Sequence, residues 1–519
     1  MSGLFRSTGV VAASTMASRI LGLVRDMLMA ALFSATGATD AFYMAFRIPN
    51  LVRRLVGEGV FTISFIPVYT EYLVGQGASG AFDLARKTLT ALMAVLVMAV
   101  AMGIIFAPQV VHVLAMGFSD TAQVEKTVDM FRIMLPYLVM AGFLAFSMGV
   151  LNSHKFFFAP AFAPVLLNVG IIGGILFLGM FFTEPLYGVC AGVLAGGILQ
   201  SILQLPFLAK AGMRLRLSWS FSHPGLKRIM RLGLMGIPGM GSQQINILVA
   251  TLLASFLAPG CITYIYFSDR LHELVLGLTA VAIGSVVFPE MSELAARKDF
   301  GKLADLYSLS VRSALFLAIP ATVALMVAGF PIISVVLMHN RFAAHEAAMT
   351  YRALLYASAG IAGIAVCRIT IPVFYALHDP RPPLQAALVS FAINGACGYF
   401  LMRTPLAHAG LTLSVSIAVT VQMLVLIMML GRKEHLPIRA REILHSVLKQ
   451  GAAAAVMGVV VWLIAGRVDW VNDPFTKRLL CLVLLVAAGG AAYFGTCFLL
   501  GAPEARLISD RIIGRIFRR

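Results

Sequence analysis

Charge is scarce in this sequence. Only 12% of its 519 residues are Asp, Glu, Lys or Arg, against about 25% in a soluble globular domain. Acidic residues are the scarcer sign, with 23 Asp and Glu against 40 Lys and Arg. Catalytic and nucleotide signatures are missing as well. There is no phosphate loop of the G-x-x-x-x-G-K type, no G-x-S-x-G elbow and no H-E-x-x-H pair. These absences argue against ATP coupling within the chain and against an enzyme, and no cofactor is implied. The six cysteines (Cys190, Cys261, Cys367, Cys397, Cys481 and Cys497) are scattered. They show neither metal-ligand spacing nor a disulfide framework, so they read as small buried apolar side chains and no metal site is expected. Sustained strand-like alternation is also missing, which excludes a transmembrane barrel. Arg6 precedes an Ala-rich apolar stretch that could pass for a secretory signal. However, Arg19 and Arg25 interrupt it and no cleavage site follows, so it reads as a retained first helix.

What the chain has in abundance is apolar length. Hydrophobic residues make up 60% of it. Apolar runs fall near 10–33, 41–70, 87–112, 129–151, 160–182, 186–208, 232–257, 262–289, 308–330, 349–377, 383–402, 408–431, 446–466 and 478–500. Each can cross a hydrocarbon core of about 30 Å. Backbone groups in lipid must be satisfied within the segment, so each run is expected to be helical. The expectation is an all-α polytopic membrane protein of 14 transmembrane helices. Pro49, Pro136, Pro238 and Pro372 fall inside runs, where neighbouring helices can re-satisfy the freed backbone.

The net charge of +17 does not point to nucleic acid, because the basic residues lie between apolar runs rather than in a soluble basic domain. They alternate from loop to loop. Arg86, Lys87, Lys155, Lys210, Arg214, Arg216, Lys227, Arg228, Arg231, Arg297, Lys298, Lys302, Arg381, Arg432, Lys433, Arg439 and Arg441 occupy one set. The other set is nearly empty, and Lys/Arg excess marks the cytoplasmic side. Both termini are then cytoplasmic, in a cell inner membrane, and anionic phospholipids are expected partners. Residues 218–231 and 503–518 mix apolar and basic positions and suit helices lying on that anionic leaflet.

An internal repeat organises the runs. The segment DAFYMAFRIPNLVRRLVGEGVFTISFIPVYTEY, from Asp40, resembles TYIYFSDRLHELVLGLTAVAIGSVVFPEMSEL, from Thr263. Tyr43 aligns with Tyr266 and Arg47 with Arg270. After one deleted residue, Pro67 aligns with Pro289 and Glu71 with Glu293. Both copies follow an odd-numbered helix leaving the cytoplasm, so they share orientation. Parallel repeats of this kind suggest two six-helix lobes. The expected division is an N-lobe over 1–217, a C-lobe with an interfacial helix over 218–435, and helices 13 and 14 with an amphipathic tail over 436–519.

Charges inside the runs are the informative feature. Helix one carries Arg19, Arg25 and Asp26. Helix two carries Arg47, Arg53, Arg54 and Glu58, helix eight carries Asp269, Arg270, His272 and Glu273, and helix ten carries Arg352 and Arg368. A charge at bilayer depth costs several kcal/mol, so it should face protein or a wet cavity. Arginine exceeds acid here, and a pyrophosphate could supply the missing partner through bidentate hydrogen bonds. Blander roles compete: arginines near helix ends snorkel to headgroups, Arg54 and Glu58 can pair at i, i+4, and Asp40 can serve as the N-cap of helix two.

The motifs SRILGLVRD, ATDAFYMAFRIPNLVRRLVGEGVFTISFIPVYTEY, FAPAFAPVLLN and the DRL at 269–271 resemble the MurJ (MviN) family of lipid II flippases, within the multidrug/oligosaccharidyl-lipid/polysaccharide exporter superfamily. The resemblance runs nearly the full length. It implies a two-lobe fold with alternating access, and movement of lipid II, the undecaprenyl-pyrophosphate-linked peptidoglycan precursor, to the periplasmic leaflet for cell-wall synthesis. It implies substrate-binding roles for Arg19, Arg25, Arg53 and Arg270. Ser18, Asp26, Ala30, Asp40 and Glu58 match supporting cavity or gate positions. Arg368 stands where relatives carry Lys. Some relatives bind sodium through Asn and Asp late in the C-lobe; Asn394 is present here without a nearby acid. Cell-wall synthesis proteins are further candidate partners. The rival readings are an exporter of another polyprenyl-linked glycan and a non-transporting scaffold for cell-wall enzymes.

Overall fold

A computed structural model describes residues 2–54, 61–220, 222–433 and 436–505. The described chain is helical throughout. In the first half lie α1 (Ser2–Phe33), α2 (Gly37–Arg53), α3 (Phe61–Gly75), α4 (Gly77–Ile105), α5 (Ala107–Leu114), α6 (Thr121–Met134), α7 (Tyr137–Ser153), α8 (Phe158–Leu176), α9 (Pro185–Lys210) and α10 (Pro224–Ala254). The second half holds α11 (Cys261–Ala296), α12 (Phe300–Val336), α13 (Ala344–Ser358), α14 (Ile361–Ala376), α15 (Arg381–Leu401), α16 (His408–Gly431), α17 (Ala440–Ala465) and α18 (Phe475–Leu499).

All fourteen expected runs carry helix, and four of them hold two helices each: α2 with α3, α4 with α5, α6 with α7, and α13 with α14. Prolines account for two of the interruptions. Pro108 opens α5 and Pro136 precedes α7, where a ring without an N–H cannot continue the preceding helix. The α13–α14 pair bends by 42°. Among the described residues nine helices, or ten with that bent pair, are long and apolar enough to cross a membrane. Helix α1, which carries Arg19, Arg25 and Asp26, is not among them.

The chain forms two compact units, Met1–Thr263 and Tyr264–Arg519. In the first, Phe61, Phe65, Tyr69 and Phe146 centre a core closed by Leu84, Val150 and Ile229. Helices α8 and α9 touch backbone to backbone: a Cβ on Gly170 would lie 2.4 Å from Gly196 Cα. Small residues permit this approach, and dispersion at such contacts replaces the hydrophobic drive that lipid removes. In the second unit α17 and α18 pack on α12 through Phe316, Met457, Leu485 and Tyr493.

One expectation changes here. Residues 218–231 do not form a surface helix of their own. Residues 218–220 are not helical, and 224–231 are the first turns of the continuous α10. His223 caps it, its Nδ1 accepting from Gly225 N at 3.1 Å. Leu226 and Ile229 are buried, Ile229 in the first unit's core, while Met230 is 58% exposed. The compact units divide just after the start of α11, and α10 packs along α3 within the first of them. Of the amphipathic tail, residues 506–519 lie outside the described residues.

Candidate functional site

The first unit holds a buried ionic knot on α1. Arg25 and Asp26 are adjacent, and each side chain is only 8% exposed. Arg25 donates from Nε (2.9 Å) and Nη2 (2.7 Å) to Oδ1 of Asp26. Its Nη1 donates to Oδ1 of Asn168 at 3.1 Å. Asn168, on α8, turns its amide back to α1: Nδ2 donates to the Ser18 carbonyl at 3.0 Å and approaches the Ser18 hydroxyl at 3.5 Å. Gly22 sits between these levels, and a Cβ there would lie 3.7 Å from the Asn168 amide. One amide thus joins Ser18 to Arg25 across seven residues of α1. A buried arginine is tolerated because its charge is matched and its donors have acceptors.

Arg19 lies on the same helix, half-buried, and among the described residues no side chain is paired with it. Ala30 is fully buried. Arg53, at the end of α2, donates from Nε (3.3 Å) and Nη2 (3.2 Å) to Oδ1 of Asn50 one turn earlier. Glu58 lies outside the described residues.

Asp40 is not the N-cap of its own helix. Thr36 is, accepting from Thr39 N. Asp40 is buried and its carboxylate accepts from Gly260 N (2.6 Å), Thr263 N (2.8 Å) and Thr263 Oγ1 (2.6 Å). It therefore caps the start of α11, where unsatisfied N–H groups and the helix dipole favour an anion. Thr263 is the position that aligns with Asp40 in the repeat, so equivalent positions of the two copies bond to each other.

In the second unit Arg270 bonds along its own helix. Nε donates to Tyr266 Oη at 3.1 Å and Nη1 to Glu273 Oε2 at 3.0 Å, with the guanidinium 5.3 Å from the Tyr266 ring centroid. Its side chain is 28% exposed and that of Glu273 is 39%. Glu273 also lies within electrostatic range of Arg368 on α14, and His272 within range of both. Arg368 itself is exposed. Asn394, on α15, accepts from Ser414 Oγ at 2.9 Å.

Reasoning from the residues passed over Asn168 and Asn50 as partners. The available signal for Asn168 was an amide closing the otherwise apolar FAPAFAPVLLN. For Asn50 it was the i, i+3 spacing to Arg53. No group of three or more His, Cys, Asp or Glu able to hold a metal occurs among the described residues.

A family model described as lipid II flippase MurJ matches residues 29–480. A lipid II flippase MurJ from Burkholderia cenocepacia is 33% identical over 513 residues, covering 97% of this chain and 98% of the relative. A probable lipid II flippase MurJ from Bdellovibrio bacteriovorus is 34% identical over 505 residues, covering 96% and 95%. Among solved structures, a lipid II flippase MurJ in an inward closed conformation superposes with a TM-score of 0.77 at 22% identity, over 94% of this chain and 99% of that one. An inward-facing multidrug resistance MATE transporter of the MOP superfamily gives 0.69 at 14% identity, over 82% and 97%.

Proposed function

The chain belongs to the MurJ family of lipid II flippases, and from that premise we propose that it moves lipid II from the cytoplasmic to the periplasmic leaflet by alternating access of two six-helix lobes. The lobes are those related by the repeat at Asp40 and Thr263, with both termini cytoplasmic. Arg19, Arg25, Arg53 and Arg270 supply the cationic lining that a pyrophosphate requires, and a planar guanidinium can grip two of its oxygens at once. Ser18, Asp26 and Ala30 support that lining on α1. Arg368 adds positive charge near Glu273. Asp40 acts at the gate, because opening the periplasmic side has to free the hairpin that its carboxylate holds. Glu58 keeps the supporting role that its match to the family motif implies. Helices α17 and α18, beyond the repeat, lie along α12 and suit the polyprenyl tail.

The observation that supports this reading most is the ionic knot on α1. Arg25, Asp26 and Asn168 form a buried polar group in a helix otherwise suited to lipid. Arg19, half-buried on the same helix, adds a further positive charge. The test is transport in reconstituted vesicles, with lipid II and a polyprenyl-pyrophosphate carrying a different glycan supplied in parallel. Movement of lipid II is expected. Movement of the other glycan lipid alone would overturn the substrate, and movement of neither would overturn transport.

A further inference from the structure

The segment joining α10 to α11 is held at two places, and only one of them is Asp40. At its other end Ser255 is 1% exposed. Its Oγ accepts from the backbone N–H of Gly117 at 3.1 Å and donates to the Leu252 carbonyl at 2.7 Å. Gly117 lies in the loop between α5 and α6. A Cβ on it would fall 2.3 Å from Phe256 N and 2.4 Å from the Ser255 carbonyl carbon. These are backbone atoms, so they cannot swing aside. Gly117 does not adopt a left-handed backbone, unlike Gly260 (φ 96°). Glycine is therefore required at 117 for space and not for conformation.

The same α5–α6 connection reaches α2. Gln123, in the first turn of α6, donates from Nε2 to the Gly37 carbonyl at 2.9 Å. Three segments thus close a ring: the start of α2 bonds the 255–263 hairpin through Asp40, the hairpin bonds the α5–α6 loop through Ser255, and that loop's helix bonds the start of α2 through Gln123. By the repeat, the hairpin belongs to the second lobe and the other two segments to the first.

We propose that Gly117 and Ser255 form a second clasp of the periplasmic gate, which has to part along with the Asp40 contact for substrate to leave. This rests on the alternating-access reading above. Gly117 and Ser255 are positioning residues: they touch no substrate and act by setting how often the hairpin is released. Asp40 alone would leave the Ser255 end able to pivot, whereas two separated attachments make release a single event.

Native Cys261 reports on the clasp without reference to transport. It starts α11 and is only 6% exposed. The probe is a hydrophilic maleimide applied to the full chain in nanodiscs, with the other five cysteines replaced. Ser255→Ala leaves the Gly117 N–H without its partner and is expected to raise the labelling rate of Cys261 about fivefold, the shift given by loss of one buried hydrogen bond. Ser255→Thr keeps the hydroxyl and should label at the wild-type rate. Gly117→Leu blocks the close approach and should label faster than Ser255→Ala. Labelling of both Ser255→Ala and Gly117→Leu at the wild-type rate overturns the clasp. In vesicles both variants are expected to slow lipid II movement. If the parent protein moves no lipid II, the functional reading fails while the labelling result stands.

Discussion

Arg25 and Arg270 are both arginines in helices that cross an apolar layer, but they are held differently. Arg25 is enclosed, with a charged neighbour on its own helix and an amide from α8, 143 residues away. Arg270 is partly exposed, and two of its bonds run to Tyr266 and Glu273 on the same helix. The first arrangement depends on two helices staying together. The two arginines therefore differ in what a lost carboxylate leaves behind: Arg25 would stay buried, and Arg270 would meet solvent.

Removal of charge at the lining is expected to have the largest effect. Arg19→Ala, Arg25→Ala, Arg53→Ala and Arg270→Ala should each abolish complementation of a strain depleted of its flippase, at normal protein level by immunoblot. Arg→Lys should fail at one or more of the four, since an ammonium lacks the planar fork. Full rescue by all four Lys variants would remove the bidentate clamp, and full rescue by all four Ala variants would remove the site.

Next comes the contrast in stability. Asp26→Ala leaves Arg25 buried without its carboxylate and should cost about 3–5 kcal/mol, read as a lowered unfolding midpoint in detergent. Glu273→Ala removes a half-exposed pair and should cost no more than about 1 kcal/mol. Equal losses would mean that the two arginines are held alike. Asn168→Leu should fall between them, at about 1.5–3 kcal/mol, because it removes a hydrogen bond to a charged group as well as the tie to Ser18. An unchanged midpoint would show that α8 contributes nothing to holding Arg25.

The smallest effect lies outside the membrane. Lys433 donates to Asp379 at 2.6 Å and holds its carboxyl below the usual value of 3.8. A depressed acid stabilises the fold above its unfolded pKa and loses that contribution as pH falls through the folded one. The unfolding midpoint of Asp379→Asn should therefore lie slightly below wild type at pH 7 and converge with it as pH falls below about 4. A gap that stays constant with pH would assign the effect to something other than this ion pair.

Much of this was legible in the residues. The apolar runs and the repeat linking Arg47 to Arg270 are local patterns. Helix formation in lipid satisfies backbone hydrogen bonds within a segment, so a segment's own composition is enough to reveal it. The surplus of arginine over acid inside the runs was equally plain, because a costly charge in an apolar run stands out by itself.

Partner choice was not legible, for a physical reason. Asp40 has the residue type and position of a cap for its own helix, but Thr36 takes that role and Asp40 satisfies the start of α11 instead. The amphipathic stretch at 224–231 has the pattern of a helix lying on a leaflet, but α3 and α4 offer its apolar face a protein surface. Asn168 is one amide in an apolar helix until the fold brings it to Arg25. What the sequence by itself determined is which segments are helices and where charge is placed along them, since both follow from composition within a few turns. Only the tertiary structure decided which acid, amide or backbone group each charge meets, because that depends on which distant segments packing brings within about 3 Å.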